Sequence, residues 1–413
     1  MSQAGTLVFV STRFLFPVDS GGKIRTTQIL RGMKGGRFRL RLLSPATPEL
    51  VKKYAAELNE VCDEFQWWPQ PARGKLHHFT RLRHVLHQLP IPVRTDCNEQ
   101  GAELIAVALR DRPAVSVFDF LHATVLMPQA LQVPSVMFTH NVEAEIFARH
   151  LSTAKAPWLR ALWTNQYAKM KRFEAEALSR FDVVVAVSDR DARAFAKDYG
   201  AQHSFVIPTG VDLEFFGYCE PSRDDEVVFC GSMDWLPNQD AMRFFLDEIW
   251  PRVVQEVPAA RFTVVGRAPP QSLVVEAQRR GLAWRFTGFV DDVRPHVQGA
   301  AVSVIPMRIA GGTRLKVYEA MAMGSPVVST AIGVEGLPLK ADTHYLNADD
   351  AASFASAIVA LLRDRERRAR ISRSARQYVD SNFSYKVAAR AFEDACLLAM
   401  QRRAGIAPAR AYG

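Results

Sequence analysis

Between residues 309 and 324 the chain places Gly311, Gly312, Thr313, Arg314, Lys316 and Glu319 ahead of an apolar run, Ala320 to Met323. Thr313 reads as a helix N-cap, with two glycines freeing the backbone before it. Arg314 and Lys316 then crowd the first turn, where cations oppose the helix macrodipole at a cost of about a few tenths of a kcal/mol. A bound diphosphate reverses that cost, because it accepts from the helix amides and the cations together. Lys316 and Glu319 are three apart and share a helix face. As a surface ion pair they would contribute only about 0.2–0.5 kcal/mol. As a site, they put a carboxylate one turn below a phosphate, where it can accept from a ribose diol. The glycines and the apolar flank favour the site.

Two further glycine turns follow strand-like runs. Gly21 and Gly22, in Asp19-Ser20-Gly21-Gly22-Lys23, open a helix whose N-terminus suits an anion. The spacing is neither GxGxxG nor a P-loop, so dinucleotide or Walker-type binding is not supported. Gly231 and Ser232 follow Phe229-Cys230 and precede a helix expected near Asn238. A tight strand-to-helix turn would explain either pair by itself. Two histidines also follow strand ends, His122 in FDFLHAT and His140 in FTHNVEAE. A lone histidine is more often structural than catalytic, and the residues leave the choice between these two open. His84 and His87 are spaced like a metal pair but have no third ligand, so no metal site is expected.

These residues need elements to hold them. Strand candidates in the first half are 7–11, 38–43, 115–118, 135–139 and 182–187. Those of the second half are 227–230, 261–265, 284–287, 302–305 and 326–329. Most are continuous apolar runs separated by helix-length amphipathic segments, the pattern of parallel strands buried on both faces. The series closes near Ile207, a polar stretch from Glu220 to Glu226 carries no periodicity, and a new strand–turn–helix unit opens at Val227. The chain thus reads as α/β, with two Rossmann-like, doubly wound parallel-sheet domains at 1–207 and 208–384. A last helix over 385–413 is expected to pack back on the first.

At 413 residues the chain is too long for one ordinary core, by a guide of about 150 residues per domain. Hydrophobic residues at 48% and charged residues at 23% exclude extended disorder. The net charge of +9 favours anionic partners. No run approaches the ~18 apolar residues of a membrane span, and the first residues lack a basic signal-peptide start. Five scattered cysteines without a CxxC pair fit a cytoplasmic protein better than a disulfide framework. The basic residues lack a nucleic-acid motif or a stacking platform, which disfavours nucleic acid. From Arg73 to Arg94, Leu76, Phe79, Leu82, Val85, Leu86 and Leu89 mark one face of an expected helix, interleaved with Arg, Lys and His. Such a helix either packs on its own domain or lies on an anionic membrane. The arginine-rich stretch 363–376 reads as a solvated helix.

GGTRLKVYEAMAMGSPVVST, with IPTGVD upstream and IGVEGL downstream, resembles the donor site of family 4 of the retaining GT-B glycosyltransferases. VVVAVSDRD, FCGSMDWLPNQDAMRFF, FTVVGR and FTGFVDD extend the resemblance in order along the chain, with members from bacterial exopolysaccharide and envelope-polysaccharide clusters looking most similar. The resemblance implies two Rossmann domains around a cleft and transfer of a sugar from a nucleoside-diphosphate sugar to a lipid-linked or saccharide acceptor. The nucleotide sugar is then a co-substrate, with no cofactor and no metal. By the same resemblance Glu319 holds the ribose, while Lys316, with the amides around Thr313, holds the diphosphate. Gly288, Phe289 and Val290 lie against the base, Gly231 and Ser232 belong to the donor site, and Gly21 and Gly22 approach the diphosphate or the sugar. One of His122 and His140 stands beside the donor sugar. The protein is then cytoplasmic, or peripheral on the inner face of the membrane.

The pattern departs from the family in two places. Gly311 stands where a Glu eight residues before Glu319 is common, and Gly231 to Trp235 lacks the usual Arg and Lys. Arg314 or Arg267 is then the replacement cation. Competing readings are a GT-B-like sugar-nucleotide 2-epimerase, which needs no acceptor, and a non-catalytic nucleotide-sugar-binding subunit.

Overall fold

The computed structural model describes residues 4–70, 83–154, 156–201, 203–207, 210–309 and 315–406. The chain forms two compact units, one made of residues 1–210 and 386–413, the other of residues 211–385.

The first unit is built on a seven-stranded sheet in the order β3-β2-β1-β4-β5-β6-β7. Its strands are β1 Thr6–Ser11, β2 Arg39–Ala46, β3 Glu64–Pro69, β4 Val115–Asp119, β5 Ser135–Phe138, β6 Val183–Ala186 and β7 Ser204–Val206. Neighbours run parallel throughout. Alternation along β1 shows why its apolar run is unbroken. Leu7 and Phe9 enter a core on one face, whereas Val8 and Val10 enter a second core on the other. Covering helices carry local signals. Ser188 caps the helix Asp189–Tyr199 by accepting from Asp191 N, and Gly200 ends it in the left-handed conformation. The helix Tyr385–Arg403 lays Ala388, Phe392, Ala395, Cys396 and Ala399 on the first core, where Phe392 meets Phe138 edge-on at 4.8 Å.

The second unit has a six-stranded sheet in the order β10-β9-β8-β11-β12-β13. Its strands are β8 Arg223–Cys230, β9 Arg261–Val265, β10 Trp284–Phe286, β11 Ala300–Ile305, β12 Val327–Ser329 and β13 Leu346–Asn347. An aromatic cluster of Phe245, Trp250, Phe262, Trp284 and Phe354 fills one side of this sheet.

Three sequence expectations need correction. Residues 223–226, read as part of an aperiodic polar stretch, are the first half of β8, since neighbours satisfy their charges: Asp225 with Arg261, Glu226 with Thr263, Asp224 with Arg368. Arg368 is in turn fully buried, so the helix Arg365–Phe383 is not simply solvated. Its guanidinium donates to the carbonyls of Leu361 and Leu362 at the end of the preceding helix. No single helix reaches Arg94 either. A 3-10 turn, Arg83–Leu86, is followed by bends and a short helix, Ile91–Thr95, because Pro90 and Pro92 interrupt backbone bonding. The rest of that segment, 73–82, lies outside the described residues.

Candidate functional site

Each sheet reverses its strand order at one point, and ligands of open α/β sheets bind beyond the carboxyl ends of strands at that switch. In the first unit the reversal falls between β1 and β4, in the second between β8 and β11.

In the first unit, register places Ser11 opposite Asp119 at the ends of β1 and β4. Asp119 is completely buried and accepts from Ser11 Oγ at 3.1 Å, Thr26 Oγ1 at 3.1 Å and His140 Nε2 at 2.7 Å. An ionised carboxylate only accepts, so His140 Nε2 carries the proton. Burial lowers the His140 pKa against the pull of Asp119, which leaves the ring neutral at pH 7. The ring stacks on Phe120 at 3.9 Å, and the Arg13 guanidinium lies 5.1 Å from the centroid of Phe120. Phe120 itself holds φ +65°, a strained conformation of a kind that clusters at functional sites. Gly22 abuts the same ring, and a Cβ on it would lie 2.4 Å from the Phe120 side chain, whereas Gly21 faces open space. Arg25, buried beneath, donates to the carbonyls of Thr139 and Ile207, both at 2.6 Å, and so ties the ends of β5 and β7 together. Burial brings its pKa down to about 9, still protonated at neutral pH.

His122 is not part of this network. Its Nδ1 pairs with Asp96 at 2.8 Å, and its buried Nε2 finds no partner among the described residues.

In the second unit, Lys316 and Glu319 stand on the helix Leu315–Ala322 that follows β11. Lys316 Nζ donates to Asn238 Oδ1 at 2.9 Å and lies 4.7 Å from the centroid of the Phe229 ring. Asn238 Nδ2 donates in turn to the Ser232 carbonyl at 2.8 Å. A Cβ on Gly231 would fall 3.0 Å from the Lys316 ammonium, so the glycine keeps the cation reachable. Glu319 and Lys316, with Cys230, Ser303 and Ile305, line a pocket of about 20 Å³, room for about one water. Desolvation raises the Glu319 pKa to about 7 despite nearby Lys316. Burial and the Glu319 charge push the Cys230 thiol up to about 12.

The loops after β8, β9 and β10 meet beside this pocket. Gly266 packs on the Gly231 carbonyl and forms an antiparallel bridge with Gly288. Phe289 is 72% exposed, while Val290 turns inward against Val228 and Val265. Arg267 Nε donates to Ser232 Oγ at 2.8 Å, and its guanidinium pairs with Asp234 at 3.1 Å. A cation therefore does stand beside the Gly231 turn, contributed by the loop after β9 rather than by the turn itself. Gly311, Gly312, Thr313 and Arg314 lie outside the described residues.

Asp119 and Asn238 were not singled out from sequence as functional. An acidic residue closing the mostly apolar strand Val115–Asp119 was the available signal for Asp119. Nothing local marks Asn238.

Comparison with known proteins agrees with this architecture. A Glycosyltransferase Family 4 model matches residues 20–215 and a Glycosyl transferases group 1 model matches residues 224–364. The chain is 30% identical over 193 residues to a phosphatidyl-myo-inositol mannosyltransferase of Mycobacterium leprae (strain TN), covering 44% of this chain and 50% of the relative. It is 23% identical over 168 residues to an uncharacterized 44.6 kDa protein in the cps region of Klebsiella pneumoniae, covering 39% and 43%. The chain thus spans about half the length, or less, of the curated relatives it matches. Among solved structures, Anabaena HepE in complex with UDP superposes with a TM-score of 0.64 at 15% identity, over 94% of this chain and 98% of that one. TarM of S. aureus gives 0.66 at 10% identity, over 95% and 98%. Sucrose-phosphate synthase from Thermosynechococcus elongatus gives 0.62 at 16%, over 94% and 98%. At such identities these likenesses speak for the fold, which is GT-B. Both units thus carry a glycosyltransferase family match, and the chain belongs to the glycosyltransferases of the GT-B fold.

Proposed function

We propose that the protein transfers a sugar, with retention of configuration and without a metal ion, from a nucleoside-diphosphate sugar to a lipid-linked or saccharide acceptor in exopolysaccharide or envelope-polysaccharide synthesis. The observation that carries the reading is the Lys316–Asn238–Gly231 cluster with Glu319 at the β8/β11 switch point. The cluster offers a cation, a desolvated carboxylate and a bare backbone turn, which are the groups a nucleoside diphosphate needs. Supporting it, HepE was solved with UDP and with UDP-glucose, the M. leprae relative is a mannosyltransferase, and the Klebsiella relative comes from a cps region.

In this proposal the acceptor oxygen bonds to the anomeric carbon as the bond from that carbon to the diphosphate breaks, and the acceptor proton passes to the departing phosphate. Lys316 stabilises the charge that develops there, and the amides and Arg314 of 311–314 share the task. His140, held neutral and oriented by Asp119, serves the donor sugar, and the Gly22–Phe120 contact keeps its ring in place. Gly288, Phe289 and Val290 line the base, with the exposed Phe289 ring free to stack.

A thermal-shift panel of UDP-, GDP-, ADP- and dTDP-sugars tests the reading, since a cognate donor at 100 times its dissociation constant stabilises by ~2.7 kcal/mol. No shift with any of them rejects it. With the donor in hand, Lys316→Ala should weaken nucleoside diphosphate binding by ~1.5 kcal/mol, the low end for a charged hydrogen bond, and leave the bare nucleoside nearly unaffected. Calorimetry with both ligands checks this. Equal losses would move Lys316 away from the phosphates.

The proposed place of action is the inner face of the cell membrane. Among the described residues no helix is long and apolar enough to cross a bilayer. The support for peripheral contact is the net charge of +9 together with a Leu86 side chain that is 94% exposed. The protein is expected to sediment with phosphatidylglycerol vesicles at low salt and to leave them at high salt, as charges are screened beyond about 8–10 Å. Protein that stays in the supernatant at both salts argues for a soluble acceptor.

A further inference from the structure

The helix Glu143–Thr153 begins three residues after His140, and its N-cap residue, Val142, has no side-chain oxygen to satisfy the first amides. Its two leading donors find their acceptor elsewhere in the fold. Glu174, inside the helix Pro157–Leu178 and 1% exposed, accepts from Glu143 N at 2.9 Å and from Ala144 N at 3.0 Å, one carboxylate oxygen to each. A buried carboxylate is costly unless its acceptors are used, so the pair of bonds explains why an acidic residue is tolerated there. The segment carrying His140 is therefore pinned on both sides. Before it, Thr139 Oγ1 donates to the Val185 carbonyl at 2.7 Å and Arg25 donates to the Thr139 carbonyl. After it, the only fixing contacts among the described residues at the two leading amides are those to Glu174.

We propose that Glu174 is a positioning residue for His140, acting as a non-local helix cap that sets the strand-end segment His140–Asn141–Val142. This rests on the proposed function, in which His140 serves the donor sugar. An ionised carboxylate can accept from both amides, whereas a carboxylic acid must spend one oxygen as a donor. Positioning is thus complete in the charged form only. Burial lifts the Glu174 pKa to about 7, so the cap titrates near neutral pH. Among the groups that face it, Glu143 raises this pKa and the Tyr199 hydroxyl lowers it by donating to the carboxylate. His122 and Arg13 act on Glu143, and Tyr167 and Asp198 act on Tyr199.

Sign matters here, because activity and stability run in opposite directions. Turnover needs the carboxylate, so kcat should rise with pH through about 7. A folded-state pKa above the unfolded value contributes stability on the acid side that is lost as pH rises through about 7. A loss of activity at low pH from this group is therefore not a loss of fold.

The test measures nucleotide released from the donor that the thermal-shift panel returns, in the full chain, from pH 5.5 to 8.5. Glu174→Gln keeps the shape but offers one acceptor and one donor to two N–H groups. At pH 8 it should lower kcat about tenfold or more, leave the donor dissociation constant within about twofold, and flatten the acid limb of the profile. Its melting temperature should stay close to that of the wild type. Tyr199→Phe removes only a hydroxyl and is the second variant should Glu174→Gln fail to fold; it should move the same limb to higher pH. Nitrogen-15 spectra of the His140 ring supply a readout independent of turnover and should change in both variants. Wild-type turnover with unchanged profiles and an unchanged His140 signal in the variants overturns the inference. Absence of any donor binding by the wild type would instead overturn the functional reading beneath it.

Discussion

Glu319→Ala should weaken binding of the cognate nucleoside diphosphate by about 1.5–3 kcal/mol, roughly ten- to more than a hundredfold. A ribose diol donates its hydroxyls, and an ionised carboxylate beside Lys316 is the acceptor that the second unit presents to them. Because desolvation raises the Glu319 pKa to about 7, only part of the free protein holds that acceptor charged at neutral pH. Wild-type affinity should therefore climb between pH 6 and pH 8, and Glu319→Gln should flatten the climb while losing less affinity than alanine. Stability moves the other way. A carboxyl whose folded pKa lies above its unfolded value contributes stability at low pH that disappears as pH rises through about 7. The alanine variant should accordingly melt no lower than the wild type at pH 8. Calorimetry that finds the same affinity for both proteins would remove Glu319 from the site.

The second large effect is expected at Gly266. A Cβ placed there would lie 1.9 Å from the Gly231 carbonyl oxygen, and backbone cannot rotate away as a side chain can. Two hydrogen bonds, Gly231 N to the Val265 carbonyl and Met233 N to the Arg267 carbonyl, both 2.9 Å, clamp the same loops together. Gly266→Ala must therefore part the ends of β8 and β9. Overpacking of this kind costs about 1–3 kcal/mol, or more where backbone must yield. A unit of this size should then lose roughly 4–10 °C in melting temperature. Nucleotide binding should fall further than stability, because the displaced turn holds Gly231, which adjoins Lys316, and Ser232, which accepts from Arg267. Gly217→Ala, where the nearest atom is 4.0 Å from the added carbon, is the control and should be silent. Wild-type affinity and melting in Gly266→Ala would show that the loops yield without harm.

The parts legible in the sequence are those that local chemistry encodes. Strands buried on both faces must be apolar almost without interruption, and the glycine turns that follow them mark where the next helix opens. Lys316 and Glu319 stood out because helical spacing alone puts them on one face. Of the edge strands, β3 and β13 escaped notice for a physical reason. β3 carries Trp67 and Trp68 side by side, one exposed and one buried, and β13 is two residues long. Asp119 could not be weighed without knowing that register brings Ser11 beside it and that Thr26 and His140 converge on it from separate segments. The same long-range pairing separates His140, stacked and bonded to Asp119, from His122, which is committed to Asp96. Arg368 and residues 223–226 were misjudged because charge was counted without its partners.

The helix Tyr385–Arg403 gives the chain an order of assembly. The first unit is interrupted: part of the cover over one face of its sheet is made of residues synthesised after the whole of the second unit. On the ribosome the second unit can close while the groove of the first that receives Phe392, against Phe138, is still open to solvent. A protein ending at residue 384 would keep that apolar groove open for good, and a foreign domain fused between residues 210 and 386 would not. Vectorial synthesis therefore makes the second unit the early folder and the first the one that waits for the last helix.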